Sequence, residues 1–301
     1  MKVCAFGTTR LDFHIYKPSF FEQHEEVKVD NLDTKIGGSV FNTAVLLKYL
    51  NLDIVFYTIL GNDELSVISK NALRNYGIDY KCTSSKGSKS PVTFILLDSD
   101  GEKVMFSYDG NSYTDDVIDI LQKNCNMYDA FFTSCYEINN ENRIKVSNIL
   151  QDFVVRNKKT FIDLSPLTYR VSKEVWNDVL PYTKIVTGTE NEFKALIEIL
   201  GHSCIEDFKK KYSIEKLFIK KGSKGCTVID QTNQYDFRVT PIKSKNLTGC
   251  GDAFNAGVII GELKHFPVEK TVKIASKLAS EVAKNGFEPL GVVEPVLADV
   301  R

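Results

Sequence analysis

No run in this sequence approaches the roughly 18–20 apolar residues that span a bilayer, so no membrane crossing is expected. No two of its seven cysteines form a C-x-x-C pair. Their odd number fits free thiols in a reducing compartment better than a disulfide framework. The four histidines are scattered and give no zinc-site spacing. Neither sign of charge is in excess: 38 basic against 39 acidic residues leave −1, which argues against a nucleic-acid-wrapping surface. The opening stretch Met1 to Gly7 is too short an apolar run for a signal peptide and reads as a strand. Internal repeats, low-complexity tracts and interdomain linkers are all missing. These absences point to a cytoplasmic protein made of one domain over residues 1–301.

Of the residues, 43% are hydrophobic, enough for a sizeable core. Short apolar runs predict strands over 2–7, 54–60, 129–134, 160–164, 184–188, 216–221 and 226–230. Amphipathic stretches predict helices over 41–51, 64–76, 140–157, 190–200, 252–263 and 267–284. In the fourth, Phe193, Leu196, Ile197 and Leu200 recur at helical spacing and Gly201 marks the stop. Strands alternating with helices imply an α/β fold with a mostly parallel sheet covered on both faces. Two segments break the rhythm. Residues 13–36 run into a charged stretch, and 90–109 read as a hairpin turning at Asp100-Gly101. Both are expected to form a small β appendage over one end of the main sheet.

The segment Leu247-Thr248-Gly249-Cys250-Gly251-Asp252-Ala253-Phe254 carries the most chemistry. Two glycines one residue apart let the backbone turn tightly and gather N–H groups at a helix N-terminus, where the dipole favours an anion. A phosphoryl group fits such a cradle, and Asp252 on the first turn can accept a proton from an attacking hydroxyl. Alone, the same residues also read as an N-cap aspartate behind turn glycines. The segment is neither a Walker A loop nor a G-x-G-x-x-G fingerprint, so a dinucleotide oxidoreductase is disfavoured.

Three further segments accompany it in order: Thr8-Thr9-Arg10-Leu11-Asp12, Gly37-Gly38-Ser39-Val40-Phe41-Asn42-Thr43-Ala44 and Lys221-Gly222-Ser223-Lys224-Gly225. With the stretch at 247–254, the chain resembles the ribokinase-like (PfkB) carbohydrate kinase family over essentially its whole length. The resemblance implies a three-layer α/β/α domain with a mostly parallel central sheet and a small β lid, formed by about 13–36 and 90–109. It implies transfer of the γ-phosphate of MgATP to a sugar hydroxyl, with Asp252 as catalytic base and Gly249, Cys250 and Gly251 as the phosphate cradle. Sugar contacts would come from Asp12, Gly37, Gly38 and Asn42. Nucleotide contacts would come from Lys221, Gly222, Gly225, Thr248, Ala279 and Gly286. Glu192 falls on the family's glutamate that organises Mg²⁺ through water, although Thr189 replaces the usual asparagine. Asn246 replaces the aspartate that helps hold a monovalent cation in many members, which argues against activation by K⁺.

The Asn42-Thr43-Ala44 ending resembles 2-keto-3-deoxygluconate kinases and some fructokinases. A neutral hexose such as fructose is the expected substrate, with ribose, 2-keto-3-deoxygluconate or a nucleoside as alternatives. A homodimer through the lid is expected from the same resemblance. The departures at 189 and 246 keep open a reading of another class, a sensor that binds sugar and nucleotide without catalysis.

Overall fold

The computed structural model describes residues 1–16, 28, 29, 31–83, 87–97, 103–110, 113–138, 142–242 and 247–300. The strands in chain order are β1 (Lys2–Phe6), β2 (Arg10–Tyr16), β3 (Asn31–Gly37), β4 (Asp53–Ile59), β5 (Asp79–Thr83), β6 (Val92–Leu97), β7 (Lys103–Tyr108), β8 (Ala130–Ser134), β9 (Lys159–Asp163), β10 (Ile185–Thr189), β11 (Lys216–Lys220), β12 (Cys226–Ile229) and β13 (Gln234–Phe237). Nine of them form one sheet in the order β13-β12-β11-β10-β9-β8-β1-β4-β5. From β11 to β5 every pair is parallel; β12 and β13 add an antiparallel edge. Runs such as Val3-Cys4-Ala5-Phe6 are buried on both sides, as parallel strands between helices must be.

Helices cover both faces. On one lie Ser39–Tyr49, Cys250–Leu263 and Val268–Asn285, over a core that includes Phe56, Phe132 and Phe218. On the other lie Asp115–Asn124, Arg143–Val154, Lys173–Val179 and Glu190–Leu200, around Phe131, Phe153 and Trp176. The open α/β arrangement collects the C-terminal strand ends at one edge, where such sheets bind ligands.

The other four strands make a separate sheet in the order β3-β2-β6-β7. Register places Asp12 beside Thr93 and Ser107 on one face, and Phe13, Phe94 and Phe106 on the other. Phe13 and Phe94 stack at 5.2 Å between ring centroids. Thr93 is buried, whereas Leu32, Phe94, Val104, Phe106 and Tyr108 on the opposite face are exposed.

The helix predicted over 190–200 is observed as Glu190–Leu200, closed by Gly201 in the left-handed region. The helix predicted from 252 starts two residues earlier, at Cys250, and the one predicted from 41 starts at Ser39. Strands β5 and β13 and the helices Asp115–Asn124, Lys173–Val179 and Ile205–Lys211 were not anticipated. The expected turn at Asp100-Gly101, residues 17–27 and 30 of the first excursion, residues 140–141 of the helix predicted over 140–157 and Asn246 lie outside the described residues. Among the described residues no helix is long and apolar enough to cross a membrane.

Candidate active site

Gly249 opens the helix Cys250–Leu263 with φ 85°, a left-handed conformation that costs glycine little and most other residues more. In this turn Cys250 N donates to the Leu247 carbonyl at 3.2 Å, and Asp252 stands as the third residue of the helix. The Asp252 carboxylate accepts a hydrogen bond from Ser39 Oγ at 2.7 Å and another from Asn42 Nδ2 at 2.8 Å. Both donors stand on the first turn of the helix Ser39–Tyr49, and Thr43 Oγ1 adds a bond to the Asp252 carbonyl at 3.2 Å. Two helix N-termini thus converge on one carboxylate. Burial pushes Asp252 up from 3.8 to about 6; Asn42 and Ser39 pull it down, and the Asp163 charge raises it further. At neutral pH it is an ionised group poised near the pH at which a general base works best.

The segment that supplies Ser39 also seats the second carboxylate. A Cβ on Gly37 would collide with Asp12 Oδ2, and one on Gly38 (φ 118°) with the Thr8 carbonyl oxygen. Only glycine therefore lets the backbone pass this close. Asp12 too is pushed up to about 6 by burial, against the pull of the Thr93 hydroxyl and the Arg10 charge. Residues 37 and 39 are two links apart, or about 7 Å of extended chain. Asp12 therefore lies against one end of this short segment and Asp252 against the other, and the space they border is the candidate cleft.

The crossing from β1 to β2 is anchored by Glu137. Its buried carboxylate accepts from Thr8 N at 2.9 Å, Thr8 Oγ1 at 3.0 Å and the Tyr113 hydroxyl at 3.1 Å. Arg10 is paired to Asp109 at 2.5 Å, tying the start of β2 to the end of β7. Tyr136 stands at the rim, 39% exposed. Burial, then Asp252 and Asp163, push its phenol up to about 12.

The loop 221–225 joins β11 to β12, as expected from its sequence. Gly222 and Gly225 both adopt positive φ, and Lys221 pairs with Asp236 at 3.4 Å and Glu190 at 3.9 Å. Ala279 lies half-buried on the helix Val268–Asn285, and Gly286 ends that helix with φ 79°. The neighbouring Phe287 ring lies within 3.0 Å of where a Gly249 Cβ would stand, so the end of this helix abuts the cradle. Cys250 is half-buried, and burial with the Asp252 charge pushes its thiol up to about 11, so it is no thiolate nucleophile. Thr248 is exposed just before the turn.

Glu192 and Thr189 form a capping box: Thr189 N donates to Glu192 Oε2 at 2.7 Å and Glu192 N donates to Thr189 Oγ1 at 3.3 Å. One Glu192 oxygen is thus committed to its own helix. Among the described residues no group of three or more His, Cys, Asp or Glu could hold a metal ion. The donor set fits a hydrated Mg²⁺ carried in on phosphate oxygens with Glu192 reaching it through water, not an all-protein cage.

Sequence reading missed Ser39, Tyr136, Asp163, Lys220 and Asn255. Ser39 had a visible signal, since it sits inside the double-glycine segment. A groove of about 790 Å³ beside Phe193, His202, Ile219 and Ile229 lies on the sheet face away from the Asp252 helix, so it is not this cleft.

A model of the family described as pfkB family carbohydrate kinase matches residues 1–286. The chain belongs to this family. It is similar to a nucleoside kinase of Methanocaldococcus jannaschii, 23% identical over 94% of this chain and 90% of the relative. It is also similar to an ATP-dependent ribose-1-phosphate kinase of Halopiger xanaduensis, 21% identical over 92% of this chain and 90% of the relative. The solved structure of a ribokinase from Thermotoga maritima superposes with a TM-score of 0.82 at 20% identity, covering 98% of this chain and 99% of that one. The ribokinase-like α/β fold is therefore confirmed, and the PfkB chain is an ATP-dependent kinase. The fructokinase-like subdivision is not singled out: relatives carry nucleoside, ribose-1-phosphate, ribose and fructose kinase names at similarly low identity.

Proposed function

We propose that this PfkB kinase phosphorylates a small furanose-bearing substrate, with the ribose ring of a free sugar or nucleoside favoured over fructose. The observation that carries this reading is the Asp252 carboxylate, fixed by Ser39 and Asn42 at the mouth of the Gly249 turn, with Asp12 packed against Gly37 at the other end of the same segment. A carboxylate such as Asp12 matches two vicinal hydroxyls. One N–H of the Asn42 amide is given to Asp252, which leaves its second N–H and its oxygen for a sugar hydroxyl. The half-exposed Tyr136 offers a flat wall for a sugar face or an aromatic base. The ribose-type names of the relatives support the same class.

In this reading Asp252 takes the hydroxyl proton while that oxygen attacks the γ-phosphorus. The Gly249–Gly251 amides hold the charge of the transferring group. Glu192 would hold a hydrated Mg²⁺ through water, and the ion would supply screening of the phosphate charge. Gly222, Gly225, Ala279 and Gly286 frame the nucleotide, Lys221 sits at its edge, and the four-stranded sheet closes over the sugar as a lid. The row Phe94, Phe106 and Tyr108 on its outer face is suited to a second copy of the chain. The neutral Asn246 supports turnover without added K⁺.

The test is a coupled ADP-release assay with ribose, ribose 1-phosphate, inosine, cytidine, fructose and 2-keto-3-deoxygluconate. Turnover strongest on a ribose-ring substrate is expected. Preference for fructose returns the hexose reading. Tight binding with no ADP from any acceptor returns the sensor reading.

A further inference from the structure

Behind the cradle stands a cation that no sequence motif announced. Strand β11 turns Lys216, Phe218 and Lys220 toward the helix Cys250–Leu263. Lys216 Nζ pairs with the buried Glu262 at 2.6 Å, and Phe218 enters the core beneath the helix. Lys220, at the C-terminal end of the strand, is thereby brought under the first turn. Its Nζ donates to the buried Asp163 Oδ1 at 2.7 Å and lies 3.5 Å from Asn255 Oδ1. Asp163 is held in turn by Thr187 Oγ1 at 2.6 Å. A Cβ on Gly251 would find Lys220 Nζ 3.5 Å away. The ammonium therefore touches the turn at the glycine just before Asp252. Asp163 fixes one of its three N–H donors and Asn255 weakly engages a second, which leaves the third for the cleft.

We propose that Lys220 is a catalytic residue of the phosphoryl transfer, donating a hydrogen bond to a non-bridging oxygen of the γ-phosphate and neutralising its charge. The proposal rests on the reading of the Gly249–Asp252 turn as the phosphate cradle. In the step, the acceptor oxygen forms a bond to γ-phosphorus as its proton passes to Asp252. The bond from γ-phosphorus to the β–γ bridging oxygen breaks, and its electron pair leaves with ADP. Lys220 stays protonated throughout. Burial alone would pull its ammonium down, but Asp163, with Glu192 and Asp252, more than offsets this and raises it. Asp163 positions the cation, and Asn255 sets its other side. Because the donor is built in and desolvated, its charge is worth more than that of a lysine reaching in from solvent.

A purely structural ion pair predicts a different pattern, and four measurements separate the two. Lys220→Met should lower kcat on the best acceptor about 10²–10³-fold, the scale of a lost oxyanion donor, while the acceptor KM stays within a few-fold. Binding of a non-hydrolysable ATP analogue, measured by calorimetry, should weaken about tenfold or more while ADP binding holds, since only the former carries the γ-phosphate. The double variant Lys220→Met/Asp163→Asn removes the stranded buried charge and should recover melting temperature without recovering kcat. Lys220→Arg should restore part of the rate. Recovery of kcat in the double variant, equal loss of ADP and ATP-analogue binding, or near wild-type kcat in Lys220→Met would each overturn the proposal. If the wild-type enzyme itself transfers phosphate to no acceptor, the cradle reading fails first and takes this one with it.

Discussion

The nine-stranded sheet is covered on both faces, and strands such as β1 and β8 are buried along nearly their whole length. The four-stranded sheet is covered on one face, and along β6 buried Thr93 and Ile95 alternate with exposed Phe94. The two meet at the cleft and divide its work. Asp252, the proposed base, belongs to the layer packed on the large sheet and is held by two hydrogen bonds from a neighbouring helix. Asp12, the proposed sugar contact, belongs to the small sheet and leans on its own strand neighbours. Chemistry is mounted on the rigid part, where a displacement of an ångström costs most. Recognition is mounted on the part with fewer buried contacts, which opens more easily.

Breaking the rigid side should give the largest effect. Asp252→Asn is expected to lower kcat by about 10²–10⁴-fold, with acceptor and ATP binding by calorimetry largely kept; near-normal turnover would sink the base assignment. The same variant should melt slightly higher at pH 7. A carboxylate raised to about 6 in the fold against 3.8 when unfolded contributes stability in full below 3.8, and that contribution falls away as pH rises through 6. At neutral pH the wild-type group is therefore a stability cost that Asn removes. The pH–rate profile should show an acid limb near 6 in kcat/KM, with activity present above it; a flat profile between 5 and 7 contradicts the assignment.

Next in size, Phe132→Ala in the large sheet is expected to cost about 3–5 kcal/mol in denaturant unfolding, because the side chain is 1% exposed and leaves a cavity. A loss below about 1 kcal/mol would show that the large sheet is less rigid than its burial suggests. Asp12→Ala on the small sheet should raise the acceptor KM about 10–100-fold through lost charge-assisted hydrogen bonds, with kcat less affected. A kcat loss as deep as that of Asp252→Asn would erase the division between chemistry and recognition. Smallest of all, Phe106→Lys on the outer face of the small sheet should leave the melting midpoint within about 0.5 kcal/mol. It should shift sedimentation toward a single chain; an unchanged profile removes the lid dimer.

The same contrast explains what could be read from the chain alone. Strands of the large sheet were visible because burial on both faces leaves unbroken apolar runs, as in Phe131 and Phe132 or Leu217 to Ile219. Strand β13, Gln234–Phe237, was hidden because an edge strand alternates exposed and half-buried residues over only four positions. Lys173–Val179 and Ile205–Lys211 span seven residues each, too few for a helical period to stand out. At the site, glycine and aspartate within one short segment announced the cradle. The Lys220–Asp163 pair did not, because its members end two separate apolar strands 57 residues apart and look like ordinary strand ends. Glu192 was read for metal, and the structure adds the capping box that occupies half its carboxylate.

Ser39 and Asp252 are 213 residues apart in the chain. The helix Ser39–Tyr49 shares its sheet face with Cys250–Leu263 and Val268–Asn285, which follow it by about 200 residues. During synthesis that face stays open until those later helices have left the ribosome, while the core of the opposite face is built from residues no later than Ile229. Such long-range closure makes for slow folding and a long-lived apolar surface on the nascent protein. Truncations after Gly286, which spare every predicted contact residue but remove Val292, Val293 and Val296 from this face, should therefore yield chains held by chaperones or lost to aggregation, with the cleft never assembled.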